Sequence, residues 1–129
     1  MTSRTESRGE RRALIATVER FLIDGLDAGD PAAAGGFAPR ALLLDATGGT
    51  VAVPPEAWIR AFRDVHHHSC HGDFSHVVDT KAAAVCSQFT RVSVRGGTVM
   101  RQECAGHFRF RDGLIVGAVI HASRPVEVV

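Results

Sequence analysis

The chain has 129 residues, 45% hydrophobic and 22% charged, a length that suits one domain and a balance that excludes a disordered or fibrous chain. Fifteen basic side chains face fourteen acidic ones, so no field of one sign draws the chain to nucleic acid or to an anionic membrane. Three widely spaced cysteines, Cys70, Cys86 and Cys104, and an N-terminus reading MTSRTESRGERR without an apolar segment argue against a secreted disulfide framework.

No run reaches the roughly 18 apolar residues of a membrane span. No interleaving of aromatic and basic residues offers a nucleic-acid clamp. The expectation is a cytoplasmic protein with reduced thiols, partnered by neither nucleic acid nor membrane. Its wealth of Ala, Gly and Arg suggests a GC-rich bacterial genome.

Residues 1–11 are polar and read as a frayed N-terminus, 12–123 as a single domain and 124–129 as a tail. Leu14, Val18, Phe21, Leu22 and Leu26 recur at helical spacing, with Glu19 and Arg20 facing outward. This first helix stops at Ala28-Gly29. Asp30-Pro31 starts a second, short one, with Asp as N-cap and Pro at the first helical position; it ends near Gly35-Gly36. Ala41-Leu42-Leu43-Leu44-Asp45, between Pro39 and the turn Thr47-Gly48-Gly49, reads as a strand. Pro54-Pro55 opens a third helix with Trp58, Phe62 and Val65 on one side, and its pattern dies in the histidine-rich stretch His66–His76.

From Phe74 the texture is β, in segments at about 74–94, 98–111 and 114–123 punctuated by the hairpin signals Gly96-Gly97 and Asp112-Gly113. In the middle segment Met100, Gln102, Cys104, Gly106, Phe108 and Phe110 share one face, and Arg101, Glu103, His107, Arg109 and Arg111 share the other. Helices followed by antiparallel strands with one apolar face define an α+β domain: a curled, cone-shaped antiparallel or mixed sheet packed on three N-terminal helices.

Several of these features together resemble ketosteroid isomerase and its SnoaL-like relatives. They are the first helix running into Leu26-Asp27-Ala28-Gly29-Asp30, a strand ending in Asp45 before a Gly turn, the helix over Glu56 to Phe62, and His107-Phe108-Arg109-Phe110 before a turn and a last strand. The resemblance covers about residues 12–123 and implies the nuclear transport factor 2-like fold, a cystatin-like roll, with no cofactor and no metal. It specifies the fold far better than a reaction, because isomerases, dehydratases, epoxide hydrolases, cyclases and binding domains share it.

Carried over by position, the isomerase's proton-shuttle aspartate falls on Asp45, its oxyanion tyrosine on Leu22 and its oxyanion aspartic acid on Gly106. Losing one oxyanion donor commonly costs about 10²–10³ in rate, so steroid isomerisation is not expected of this chain. The inward face Gln102, Cys104, Gly106 lacks the acidic base of the SnoaL-like cyclases. Nothing on the inward side of Leu114 to Ala122 supplies the Asp-Arg-Asp set of the epoxide hydrolases.

Asp45 has two readings: a base whose pKa apolar walls raise, or a strand terminator capping the turn after it. The histidine cluster offers His68 or His76 as a cavity acid or base, as in dehydratase relatives. Its plainer reading is a set of solvated histidines at a helix end, and His67 with His71 at i, i+4 lacks the ligand count for a metal. Gln102 is a polar amide in an apolar wall that a ligand oxygen, a buried water or a helix residue would satisfy. Cys104 reads as a wall residue, since neighbouring Glu103 points to the opposite face. Trp58, Phe62 and Phe108 are core that doubles as pocket wall.

These residues and the resemblance lead us to expect a small-molecule enzyme, an isomerase, dehydratase or cyclase acting by proton transfer on an apolar cyclic or polyketide-like substrate in an internal cavity, in bacterial secondary metabolism. Asp45, His68 and His76 would be catalytic; Trp58, Phe62, Gln102, Cys104 and Phe108 would bind substrate. The alternative is a non-catalytic module that binds a hydrophobic ligand or dimerises. In either case the outer sheet face would join two copies into a homodimer.

Overall fold

The computed structural model describes residues 4–27, 29–46, 50–65 and 67–128, with side chains for all of these except 4–7, 26–27, 61–65, 67–73, 93 and 95. Helix α1, Arg4–Arg20, passes directly into a π-helical stretch, Phe21–Asp27. Leu14, Val18, Phe21 and Leu22 form its buried stripe. The helix therefore starts well inside the segment expected to be frayed. Gly29 takes a left-handed φ of 66°, the conformation that glycine adopts at no steric cost. Asp30 then caps a 3-10 turn, Pro31–Gly36, its Oδ1 accepting from the Ala32 amide at 3.0 Å.

Strand β1, Phe37–Asp45, runs through Pro39 and is longer than its apolar core suggests. The short β2, Val51–Val53, pairs with it, and α2, Pro55–Val65, follows. Four long strands complete the sheet: β3 His67–Asp79, β4 Ala84–Arg95, β5 Thr98–Arg111 and β6 Leu114–Ala122. The order is β2-β1-β6-β5-β4-β3. Among the described residues only the β1–β6 pair is parallel, so the sheet is mixed. A two-residue β7, Val126–Glu127, returns from the C-terminal tail to pair with Met100 and Arg101.

Both glycine signals make the hairpins expected of them. Gly96-Gly97 and Asp112-Gly113 have positive φ at both positions (57° and 83°, 53° and 78°), as a type I′ turn requires. The stretch 74–94 is not one segment but the end of β3, a turn and most of β4. That turn carries neither Gly nor Pro: Asp79 Oδ1 accepts from the amides of Lys81 and Ala82 at 3.0 and 3.1 Å, and Ala83 takes the left-handed φ of 49°.

The backbone of 67–76 is strand. His67, His68, His71 and His76 are therefore strand residues, and His67 and His71 are not a helical i, i+4 pair; His66 lies outside the described residues.

Along β5, Gln102, Cys104, Gly106, Phe108 and Phe110 are buried and the residues between them exposed, so the concave face is the apolar one. The helices close on it through an aromatic knot. The Phe21 ring meets Phe37 edge-on at 4.8 Å, stacks on Trp58 at 5.5 Å and meets Phe108 edge-on at 6.2 Å. Ile59, Ile115 and Ile120 fill the remainder.

Candidate functional site

Asp45 ends β1 in phase with the buried Ala41 and Leu43. Its half-buried carboxylate turns to α2, where Trp58 donates its indole N–H to Oδ2 at 2.9 Å. The Trp58 ring is itself fixed by its stack on Phe21, so the carboxylate is oriented by a donor that cannot easily move. A hydrogen bond from a buried N–H to a carboxylate is the stronger, charge-assisted kind.

Further along the same buried face stand Cys104 of β5, two residues from the Gly106 that shares Asp45's row, and the Arg91–Gln102 pair of β4 and β5. Gln102 finds its partners within the sheet: Arg91 donates to its Oε1, and its Nε2 donates to the Ser123 carbonyl at 3.0 Å. Neither partner belongs to a helix. Burial pushes the Cys104 thiol up to about 11; the Arg91 guanidinium opposes that rise, and the Glu103 and Asp45 carboxylates add to it. Cys104 is thus a protonated wall group rather than a nucleophile. Glu103 lies on the outer face as expected, held by Thr90 and Arg101.

The remaining residues singled out in the sequence divide into three groups. Phe108 is fully buried, and its ring lies over Gly106: a Cβ built on Gly106 would come within 2.6 Å of it. Leu22, at the tyrosine position, is fully buried too. Apolar packing therefore occupies both positions where the isomerase family keeps its oxyanion donors. Phe62 and His68 have side chains outside the described set.

His76 is engaged at both ring nitrogens, Nδ1 with Ser87 Oγ at 2.7 Å and Nε2 with Glu19 Oε1 at 2.9 Å. Glu19, expected to face solvent, instead ties α1 to the sheet, and an ionised carboxylate there fixes a proton on Nε2. The sheet register places Asp45, Ile120, Gly106, Ser87 and His76 in one row across five strands. Asp45 and His76 thus stand at opposite ends of that row.

Sequence reasoning missed Arg91. Its signal was phase: Val85, Ser87, Phe89 and Arg91 alternate along β4, and the first three are buried. Among the described residues no three His, Cys, Asp or Glu side chains stand close enough to hold a metal ion. Nor is any helix among them long and apolar enough to cross a membrane. On the outer face a groove of about 240 Å³ runs past Val77, Cys86, Ala105, His107 and His121.

No protein-family model matches the chain. No curated protein matches it either. Solved structures do. A nuclear transport factor 2-like protein of Anabaena variabilis superposes with a TM-score of 0.75 at 14% identity, covering 96% of this chain and 95% of its own. A candidate polyketide cyclase of Xanthomonas campestris gives 0.73 at 14%, covering 87% and 91%. An LEH-like epoxide hydrolase of M. tuberculosis gives 0.69 at 16%, covering 87% and 84%.

The class these define is the cone-shaped α+β domain with a mixed sheet curled against helices. The chain has the nuclear transport factor 2-like fold, the one the sequence resemblance implied.

Proposed function

We propose that the chain is a SnoaL-like small-molecule enzyme that moves a proton on an apolar cyclic or polyketide-like substrate held on the concave face, in bacterial secondary metabolism. Asp45 is the base. The observation that carries this reading is the Asp45 carboxylate, set in the inward phase of β1 and oriented by the Trp58 indole N–H at 2.9 Å. A positioned carboxylate against apolar walls suits removal of a proton from carbon.

Cys104 belongs to the wall; Phe62 and His68, whose side chains lie outside the described residues, remain the candidate further wall residue and the candidate second acid–base group. His76, with both nitrogens engaged by Glu19 and Ser87, serves the docking of α1. Trp58 positions the base, and Phe108 serves the core. Neighbours described as a polyketide cyclase and an epoxide hydrolase are consistent with enzymatic use of the fold. Asp45→Asn should abolish turnover in a protein that still unfolds cooperatively; full turnover in that variant would sink the assignment.

A second reading, a binding module without chemistry, draws on the covering of Gly106 by Phe108 and the burial of Leu22. It expects hydrophobic molecules to be recovered unchanged from the protein, so a product of altered mass would refute it. Under both readings we place a homodimer contact on the outer sheet face, where Val77 is 69% exposed beside the groove. Sedimentation as a monomer at micromolar concentration would remove that contact.

A further inference from the structure

On the outer face the alternate side chains of neighbouring strands fall into rows. One row reads Val77, Cys86, His107, Val119 and Leu44, in register from β3 across β4, β5 and β6 to β1. Val77, Cys86 and His107 are exposed, and Val119 and Leu44 are half-buried. The row is thus apolar except for a thiol and an imidazole near its middle. Those two stand directly opposite each other in the β4–β5 ladder, where Cβ atoms are about 4.5–5.5 Å apart. Both line the groove of about 240 Å³, and the Cys86 thiol is free.

A thiolate and a neutral imidazole are the ligands of structural zinc, at about 2.3 and 2.0–2.1 Å in a tetrahedron of four. Facing residues of two paired strands can turn both donors to one ion at those lengths. One copy supplies only this pair, since among the described residues no three His, Cys, Asp or Glu side chains stand close enough to hold a metal ion. His121 lines the same groove but pairs with Ala105, one diagonal step from His107. A two-fold axis lying over the pair, along the row or at right angles to it between β4 and β5, brings the pair of one copy onto the pair of another, because an isologous contact joins the same patch of both copies.

We propose that the outer face carries half of a zinc site, which two copies complete with Cys86 and His107 from each. Two thiolates cancel the double charge of the ion, so the closed site buries no net charge in an apolar contact. The two thiol protons leave to solvent as the metal binds. This site rests on the homodimer contact already placed on the same face and adds regulation to it: zinc holds the copies together more tightly than apolar contact alone.

The test uses the intact protein, kept reduced and stripped of metal, with cobalt(II) and zinc(II) as the only additions. Cobalt should give a thiolate charge-transfer band and the intense visible bands of a tetrahedral site, saturating at about one ion per two chains. Zinc should displace it and erase those bands. By sedimentation equilibrium, zinc should lower the dimer dissociation constant about tenfold or more relative to EDTA. Cys86→Ser and His107→Ala should each lose the zinc effect, and Cys86→Ser the thiolate band as well. Cys70→Ser and His121→Ala should keep both.

A thiolate band that survives Cys86→Ser or vanishes with Cys70→Ser would overturn the proposal. So would saturation of the Cys86-dependent band at one ion per chain, or a dimer dissociation constant that zinc leaves unchanged. The contact and the metal fail separately. A dimer in EDTA without a Cys86-dependent cobalt band removes only the zinc, whereas a chain that stays monomeric with and without zinc removes both.

Discussion

Gly106 sits where the isomerase family carries an oxyanion acid, and the structure gives a physical reason why no side chain stands there. A Cβ at this position would lie 2.6 Å from Cε2 and 3.0 Å from Cζ of Phe108, about 1 Å inside the carbon–carbon optimum of roughly 3.5–4.0 Å. The Phe108 ring cannot simply swing aside, because it is fully buried against Phe21, which is locked between Phe37 and Trp58.

Gly106→Ala should therefore incur an overpacking cost of about 1–3 kcal/mol, offset by about 0.5–1 kcal/mol from the stiffer unfolded chain. The net is a destabilisation of up to about 2.5 kcal/mol, centred near 1 kcal/mol, a drop of roughly 3–6 °C in Tm at that centre for a domain of this size. Urea unfolding followed by tryptophan fluorescence, which reports on the single Trp58, measures it directly. In a Phe108→Leu background the same Gly106→Ala change should be neutral or stabilising, since the clash is gone. A Gly106→Ala change with the same effect on stability in the native and Phe108→Leu backgrounds, or one that stabilises the native background, would refute the reasoning.

Three further outcomes follow from the same contacts. Trp58→Phe removes the donor to Asp45 and should cost about 1.5–3 kcal/mol, the range for hydrogen bonds to charged groups; because the variant lacks the one tryptophan, urea unfolding followed by circular dichroism checks it, and a midpoint unchanged from wild type would contradict it. Ser87→Ala strips His76 Nδ1 of its buried partner and should cost about 1–3 kcal/mol, read by the same unfolding assay, with a neutral substitution as the contrary result. The Cys104 thiol, raised to about 11, is only about one part in a thousand ionised at pH 8. A thiol alkylating reagent, located by peptide mass spectrometry, should mark exposed Cys86 well before Cys104, with Cys104 gaining reactivity only as pH rises toward 11. Early labelling of Cys104 at pH 8 would contradict its burial.

The parts of the fold legible in the sequence were those with strong local rules. The strict alternation of β5 and the paired positive-φ residues of its two hairpins could be read directly, as could the Asp30 cap of the short 3-10 turn. The β3–β4 turn could not, because Asp79 makes it with its side chain and Ala83 accepts a strained φ, leaving no Gly or Pro to mark it. The histidine-rich start of β3 hid for a related reason: its polar residues show no period, and only pairing with β4 makes them strand.

The site divides along the same line. Asp45 was visible as a position in a recognised pattern, and its phase with Leu43 was local. The Trp58 donor, the Glu19–His76 contact across 57 positions and the Arg91–Gln102 pair are products of packing, which spacing in one strand or helix does not encode. Arg91 in particular reads in one dimension as a polar interruption of an apolar strand.

The central claim, that Asp45 is a working base, is tested most directly by proton exchange. Wild type and Asp45→Asn, both verified as folded, are incubated in D2O with a panel of cyclic ketones and keto acids, and deuterium at carbon is followed by mass spectrometry. The account predicts incorporation by wild type into at least one member and none above background with Asp45→Asn. Equal incorporation by the two proteins, or none by either, would contradict it.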